Sequence, residues 1–443
     1  MKKLLVLMIP LLSCTSISNR IYNRTYYEST RLADSLKIHE GLLSVKAEKI
    51  KYRANGKLLA VIELGKPTKI VQAEAKEKWG FFQFPTIGIA DDSILVVNWS
   101  MKEDSYLSYG RKTTRPIVPM ISRDGGFTWK PQEKKYEVVV RNYNVQNDDG
   151  LLQIKLPRAR NINQYKKFPK PVERQDNYFF YKMEDLPEEL KGVYFEFIDR
   201  KGGKTLLHAK LKDPGYLRYA IDSLMPIFWR GSIKHLSDGS LLAGVYPTYY
   251  QDINGKVLPG GISFYRSYDD GNTWNIQGKI PFLHDGIANK KGKSFDEPDF
   301  EVLSDSTLIC VMRTADVSPM YQSFSADLGN SWSRPVPMSP NGVKPRLLLL
   351  KNGVLVLVSG RPGIQVRFSF DGTGRLWSDP IDFIPFMKTA RKYRTSVSCG
   401  YASILECDSN SFYVVYSDFT TKNKKGEERK SIMFRKIKVE RML

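Results

Sequence analysis

The sequence predicts an all-β repeat fold, and three observations carry that expectation. Its 443 residues include 24 Tyr, 22 Phe and 7 Trp beside 32 Gly and 24 Pro, the mixture of a strand-and-turn chain. One short motif, S-x-D-x-G-x-[ST]-W, recurs along the chain. The later copies begin 58 residues apart (Ser267 to Ser325) and 44 apart (Ser325 to Ser369), each interval fitting one four-stranded sheet. Hydrophobic residues make up 42%, enough for a large core and too many for wholesale disorder.

The copies read SRDGGFTW (122–129), SYDDGNTW (267–274), SADLGNSW (325–332) and, with one extra residue, SFDGTGRLW (369–377). Each residue type has a physical task. The Asp caps its own turn by accepting backbone N–H bonds, and Gly supplies a positive φ. The Trp ring then packs the turn against the sheet. The motif resembles the Asp box, or BNR repeat, of the sialidase (neuraminidase) superfamily. That resemblance implies a six-bladed β-propeller whose boxes are structural hairpins away from the active site.

The interval before Ser267, 145 residues from Ser122, is too long for one blade and implies an insertion at about 133–220. Within it, 136–140 and 193–198 read as strands and the basic stretch 158–174 as loop. Strand-like text at 412–416 and 431–438 predicts no separate C-terminal domain, and short strands in 41–75 are expected to close or cap the ring. The expected division is a targeting segment at 1–20 and a propeller over 21–443.

Lys2 and Lys3 precede the apolar run Leu4–Leu12, whose nine residues fall short of the roughly 20 that a spanning helix needs. The following Leu11-Leu12-Ser13-Cys14 resembles the lipobox of bacterial lipoproteins, which implies export and lipidation at Cys14, with the chain anchored to the cell envelope. An ordinary signal peptide with a chance cysteine is the alternative. Nothing later is long and apolar enough to cross a membrane. The net charge of +21 suits an acidic partner such as a polysaccharide, a lipid headgroup or nucleic acid, or simply a basic surface. Export and the lack of a recognition motif argue against nucleic acid. Four His and four Cys leave little for a metal site, and neither metal nor cofactor is expected. Cys310, Cys399 and Cys407 read as buried small hydrophobes with at most one disulfide.

The chemistry follows from the resemblance. Sialidases hold a substrate carboxylate in an arginine clamp and attack the anomeric carbon with a tyrosine. A neighbouring Glu accepts the tyrosine's proton, so no anionic carboxylate is pushed at an anionic sugar. Asp296-Glu297-Pro298, continuing to Met312-Arg313-Thr314, resembles the segment in which the activating Glu precedes the second clamp arginine. The separation of 16 suits two antiparallel strands and a tight turn. Arg361, eight residues before Ser369, fits the third arginine, with Arg367 its rival. Tyr401, in Cys399-Gly400-Tyr401-Ala402-Ser403, resembles the nucleophile segment; Tyr393 is the runner-up and Tyr416 reads as core. The first clamp arginine is missing, since Phe82-Gln83-Phe84-Pro85 puts Gln83 at that place, with two N–H donors and no charge. Arg230 is its possible substitute, or else a residue holding the neighbouring turn. Asp104 is the acid/base candidate, with Glu103, Asp91 and Asp92 as alternatives.

These residues predict an exo-acting, retaining glycosidase that removes a terminal acidic sugar from glycans. The competing readings are an enzyme of the same scaffold on another acidic polysaccharide, favoured by Gln83 and the basic insertion, and a non-catalytic glycan-binding propeller.

Overall fold

The computed structural model describes residues 28–32 and 48–442, apart from 91–92, 104–114, 141–143, 148, 155–158, 283–293, 315–317, 362 and 385–395. The described residues form an all-β chain: strands joined by turns, with short 3-10 segments and no α-helix among them.

Three of its six sheets are four-stranded antiparallel meanders in plain chain order, running from Phe81–Ala90 to Lys130–Pro131, from Asp296–Val302 to Val336–Ser339, and from Val343–Leu349 to Ile381–Ile384. A further meander, Arg230–His235 to Thr273–Ile280, joins an eight-stranded sheet. Its last strand pairs in parallel with Lys204–Lys212. Another sheet combines Ala402–Asp408, Ser411–Lys422 and Glu428–Arg441 with Thr68–Gln72, which pairs antiparallel to Glu428–Arg441. One sheet is therefore completed by strands from opposite ends of the described chain, and Lys57–Leu64 pairs with its residues 437–441.

The leading strands of these sheets touch in sequence. Phe81–Ala90 meets Ala402–Asp408, which meets Val343–Leu349, then Asp296–Val302, then Arg230–His235, then Asn144–Asn147. An isolated Ile89–Val139 bridge leads back toward the first strand, so the ring is nearly closed. That bridge also corrects an expectation. Residues 136–140 form no strand; their β-branched run finds a partner only at Val139. The 133–220 region instead builds a meander from Asn144–Asn147, Gly150–Ile154, Val193–Asp199 and Lys204–Lys212, and much of a separate five-stranded sheet.

All four repeat motifs adopt one turn, between the third and fourth strands of their meanders. The Ser hydroxyl donates to the Asp carboxylate at 2.7, 2.8, 2.8 and 2.6 Å in Ser122, Ser267, Ser325 and Ser369. The same oxygen accepts from the backbone N–H of Gly126, Gly271, Gly329 and Gly374. In three copies the indole N–H donates to the carbonyl of the glycine three residues back: Trp129 to Gly126, Trp274 to Gly271 and Trp332 to Gly329. In the fourth copy the extra residue lies between the Ser and the Gly, and Trp377, although again three residues after Gly374, donates to Gln322 instead.

Buried polar ties lock adjacent sheets together. Asp299, 0% exposed, accepts from Ser232 Oγ at 2.6 Å and from the Leu347 N–H at 2.8 Å, so one carboxylate joins three neighbouring leading strands. Lys234 and Glu301 form a shielded ion pair between two of them, 3.1 Å apart. Cys310, Cys399 and Cys407 form no disulfide.

Candidate active site

Four residues that precede a proline in the sequence share a rare backbone conformation: Phe84 (φ 51°), Glu297 (φ 47°), Lys344 (φ 46°) and Arg361 (φ 46°). A bulky side chain at positive φ is strained. The strand prolines explain the irregularity at the first three. Proline has no N–H to give the ladder, so pairing skips at that point. The register breaks between Gln83 and Thr86, between Asp296 and Asp299, and between Val343 and Arg346. Each break turns the pre-proline residue out of the ladder.

Three of the four meet around Tyr401, which directly precedes the strand Ala402–Asp408. The Tyr401 hydroxyl donates a short hydrogen bond to Glu297. Arg313, paired across the ladder with Asp296, donates to the other Glu297 oxygen at 2.8 Å and lies 3.4 Å from the Tyr401 oxygen. The Phe84 ring centroid is 4.7 Å from that of Tyr401. The Arg361 guanidinium lies 5.6 Å from the ring centroids of both Tyr401 and Trp79, and its Nε donates to the Cys399 carbonyl at 3.0 Å. Gly400 makes this approach possible: its φ is 77°, and a Cβ there would stand 2.5 Å from Arg361 Cγ and 3.3 Å from Val343 Cγ2.

The charges are strongly coupled. Burial alone would raise the pKa of Glu297, but the cations Arg313 and Lys344, with hydrogen bonds from Tyr401 and Arg313, outweigh it and bring the carboxyl down to about 2. Burial, and next the adjacent Glu297 charge, push the Tyr401 phenol well above its ordinary value. In the resting site the proton therefore sits on the tyrosine and Glu297 is an ionised acceptor within reach of it. A phenol so placed becomes a nucleophile only as its proton passes to that carboxylate.

No protein-family model and no curated protein matches the sequence. Solved structures do resemble the fold. A protein of unknown function from Dyadobacter fermentans is 18% identical, with 84% of this chain and 99% of that chain covered and a TM-score of 0.52. The Hadza microbial sialidase Hz136 is 15% identical, covering 91% and 74% at a TM-score of 0.47. A variant of the NanB sialidase from Streptococcus pneumoniae is 12% identical, covering 83% and 70% at a TM-score of 0.45. The first is a likeness of fold alone.

The structure thus brings Glu297, Arg313, Arg361 and Tyr401 together. Arg367 is not in this group; its Nη1 donates at 3.3 Å to the carbonyl of Ser378, in the segment before the strand Ile381–Ile384. Arg230 opens its strand with its guanidinium 5.6 Å from the Phe228 ring centroid. Its ladder partner is Tyr246, whose hydroxyl is 3.4 Å from Lys344 Nζ. Gln83 is fully buried, and neither polar atom of its side chain has a hydrogen-bond partner among the described residues. Its neighbour Phe84 is the residue that reaches Tyr401. Tyr416 is core, 3% exposed. Glu103 is half-exposed, 3.5 Å from Lys78 Nζ. Asp104, Asp91, Asp92, Tyr393 and Cys14 lie outside the described residues.

Sequence reasoning missed Phe84, Lys344, Trp79 and Tyr246. For the first two a signal was present: Phe84-Pro85 and Lys344-Pro345 repeat the dipeptide form of Glu297-Pro298 at the start of a strand.

Proposed function

We propose that this chain is a sialidase-like glycoside hydrolase on a six-bladed propeller with Asp-box hairpins, removing a terminal acidic sugar with retention of configuration. The observation that carries the reading is the Tyr401–Glu297 hydrogen bond, held by Arg313 beneath Arg361. The six blades would be the three plain meanders, the meander opening at Arg230, the one opening at Asn144, and the sheet that Thr68–Gln72 completes.

In this reading the Tyr401 oxygen bonds to the anomeric carbon while its proton passes to Glu297. The glycosidic C–O bond breaks, and the leaving oxygen takes a proton from Asp104. Water, deprotonated by the same Asp104, then attacks the anomeric carbon. The C–O bond to Tyr401 breaks and Glu297 returns the proton to the phenol. Arg313 and Arg361 would hold the carboxylate of the sugar, with Arg230 contributing at the rim.

The burial of Gln83 favours a second version, in which the substrate carries its acid group differently from sialic acid, as a uronic acid does. A screen of monosaccharides released from sialylated and uronic-acid glycans separates the two. Loss of release in Tyr401→Phe with retained glycan binding supports an enzyme, whereas release undiminished in that variant contradicts it. We further propose export and lipid anchoring at Cys14, which metabolic labelling with a fatty acid and loss of label in Cys14→Ser would test.

A further inference from the structure

The site holds a cation that no clamp arginine accounts for. Lys344 is the second residue of the leading strand Val343–Leu349, with the same pre-proline positive φ that turns Glu297 out of its own ladder. That strand lies between those of Glu297 and Tyr401, in contact with both. Its first residue, Val343, packs against Gly400, the residue before Tyr401. Lys344 Nζ is 3.4 Å from the Tyr246 hydroxyl and 5.5 Å from that ring's centroid. The side chain is only partly buried.

We propose that Lys344 is a specificity-determining residue, a third cation that binds the acid group of the substrate where Gln83 supplies no charge. The inference rests on the acidic-sugar reading above. Three features of the residue support it. An ammonium on a four-carbon stem is a mobile point charge and can meet an anion without the fixed fork of a guanidinium. Its field already reaches the catalytic pair, being second to that of Arg313 among the charges that hold Glu297 ionised. And a strained backbone at a charged residue, repeated at Glu297 and Arg361, is spent on aiming side chains into one space. A carboxylate bound there would also neutralise part of the field on Glu297, making it a better base once substrate is in place. Arg313 Nη1 already donates to Glu297, and Arg361 Nε to the Cys399 carbonyl.

The test uses the full chain with fluorogenic glycosides of N-acetylneuraminic acid, glucuronic acid and neutral galactose, and calorimetric binding of the two free acids. Lys344→Met is expected to weaken binding of the preferred acid, and to raise KM for its glycoside, at least tenfold. Lys344→Arg should recover most of the loss, and Lys344→Gln, matched in melting temperature, guards against misfolding of the Met variant. The proposal is overturned if Lys344→Met or Lys344→Gln binds the acid as tightly as wild type, or if wild type binds neither acid. Wild-type turnover that needs Tyr401 but ignores Lys344 would defeat the Lys344 inference alone, whereas turnover indifferent to Tyr401→Phe would defeat the glycosidase reading itself.

Discussion

Tyr401 and Glu297 share one hydrogen bond, and the position of its proton decides what the pair can do. With Glu297 held at about 2 and the phenol well above 10, the proton rests on oxygen of the tyrosine until substrate changes the field. Glu297→Gln keeps a hydrogen-bond acceptor but removes the base that can take the proton, and should lower kcat by roughly a hundredfold to ten-thousandfold, with circular dichroism unchanged. Stopped assays on the acidic glycosides would check it. The same group makes an acid-stability prediction. Its folded pKa is below its unfolded value near 4.5, so ionised Glu297 stabilises the fold above about pH 4.5 and that contribution is lost as pH falls toward about 2. Wild type should therefore lose more stability than Glu297→Gln between about pH 5 and pH 3 in urea titrations. Equal slopes would contradict the ion pair with Arg313.

At the scale of elements, the leading strands are held by buried polar groups rather than apolar packing alone. Asp299→Ala leaves the Ser232 hydroxyl and the Leu347 N–H without their acceptor, each loss costing about 1–3 kcal/mol. A drop of about 2–5 kcal/mol in denaturant midpoint analysis is expected, together with reduced activity, since the Glu297 strand is the one released. The repeat turns should behave differently. Trp274 is fully buried among Phe195, Trp229 and Tyr265. Trp274→Ala should cost about 3–5 kcal/mol while leaving KM nearly unchanged in whatever protein remains folded. A large KM effect from Trp274→Ala would mean that these turns do more than brace the sheets.

Over the whole molecule, closure depends on a strand from the early chain. Ile70, 7% exposed, packs in one cluster with Ile432 and Phe434, the strand it completes. Ile70→Ala should cost about 2–4 kcal/mol, and hydrogen exchange should show protection lost along Glu428–Arg441 before the meander opening at Asp296. The same scale explains what could be read from the sequence. The turn motif is legible because Ser, Asp and Gly satisfy one another within a few residues, joined in three copies by the Trp N–H, and no distant contact is needed to define the turn. Glu297 with Arg313 is nearly as local, two ends of one hairpin. The meeting of Glu297 with Tyr401, 104 residues apart, needs the ring, and only the resemblance supplied that pairing in advance. Counting back from Pro85 put Gln83 at the clamp position, yet positive φ at both Phe82 and Phe84 buries Gln83 and presents Phe84. Lys344 went unread because a Lys-Pro dipeptide carries no chemistry until its strand is seen beside those of Glu297 and Tyr401.

The central claim, that Tyr401 is a nucleophile served by Glu297, is tested most directly by trapping. The protein is incubated with an activated fluoro-substituted acidic glycosyl fluoride, which slows breakdown of any glycosyl-enzyme, and then digested for peptide mass spectrometry. The account predicts one sugar added to the peptide containing Tyr401, absent in Tyr401→Phe and strongly reduced in Glu297→Gln. An adduct on a carboxylate elsewhere, or turnover of acidic glycosides with Tyr401 never modified, would contradict it.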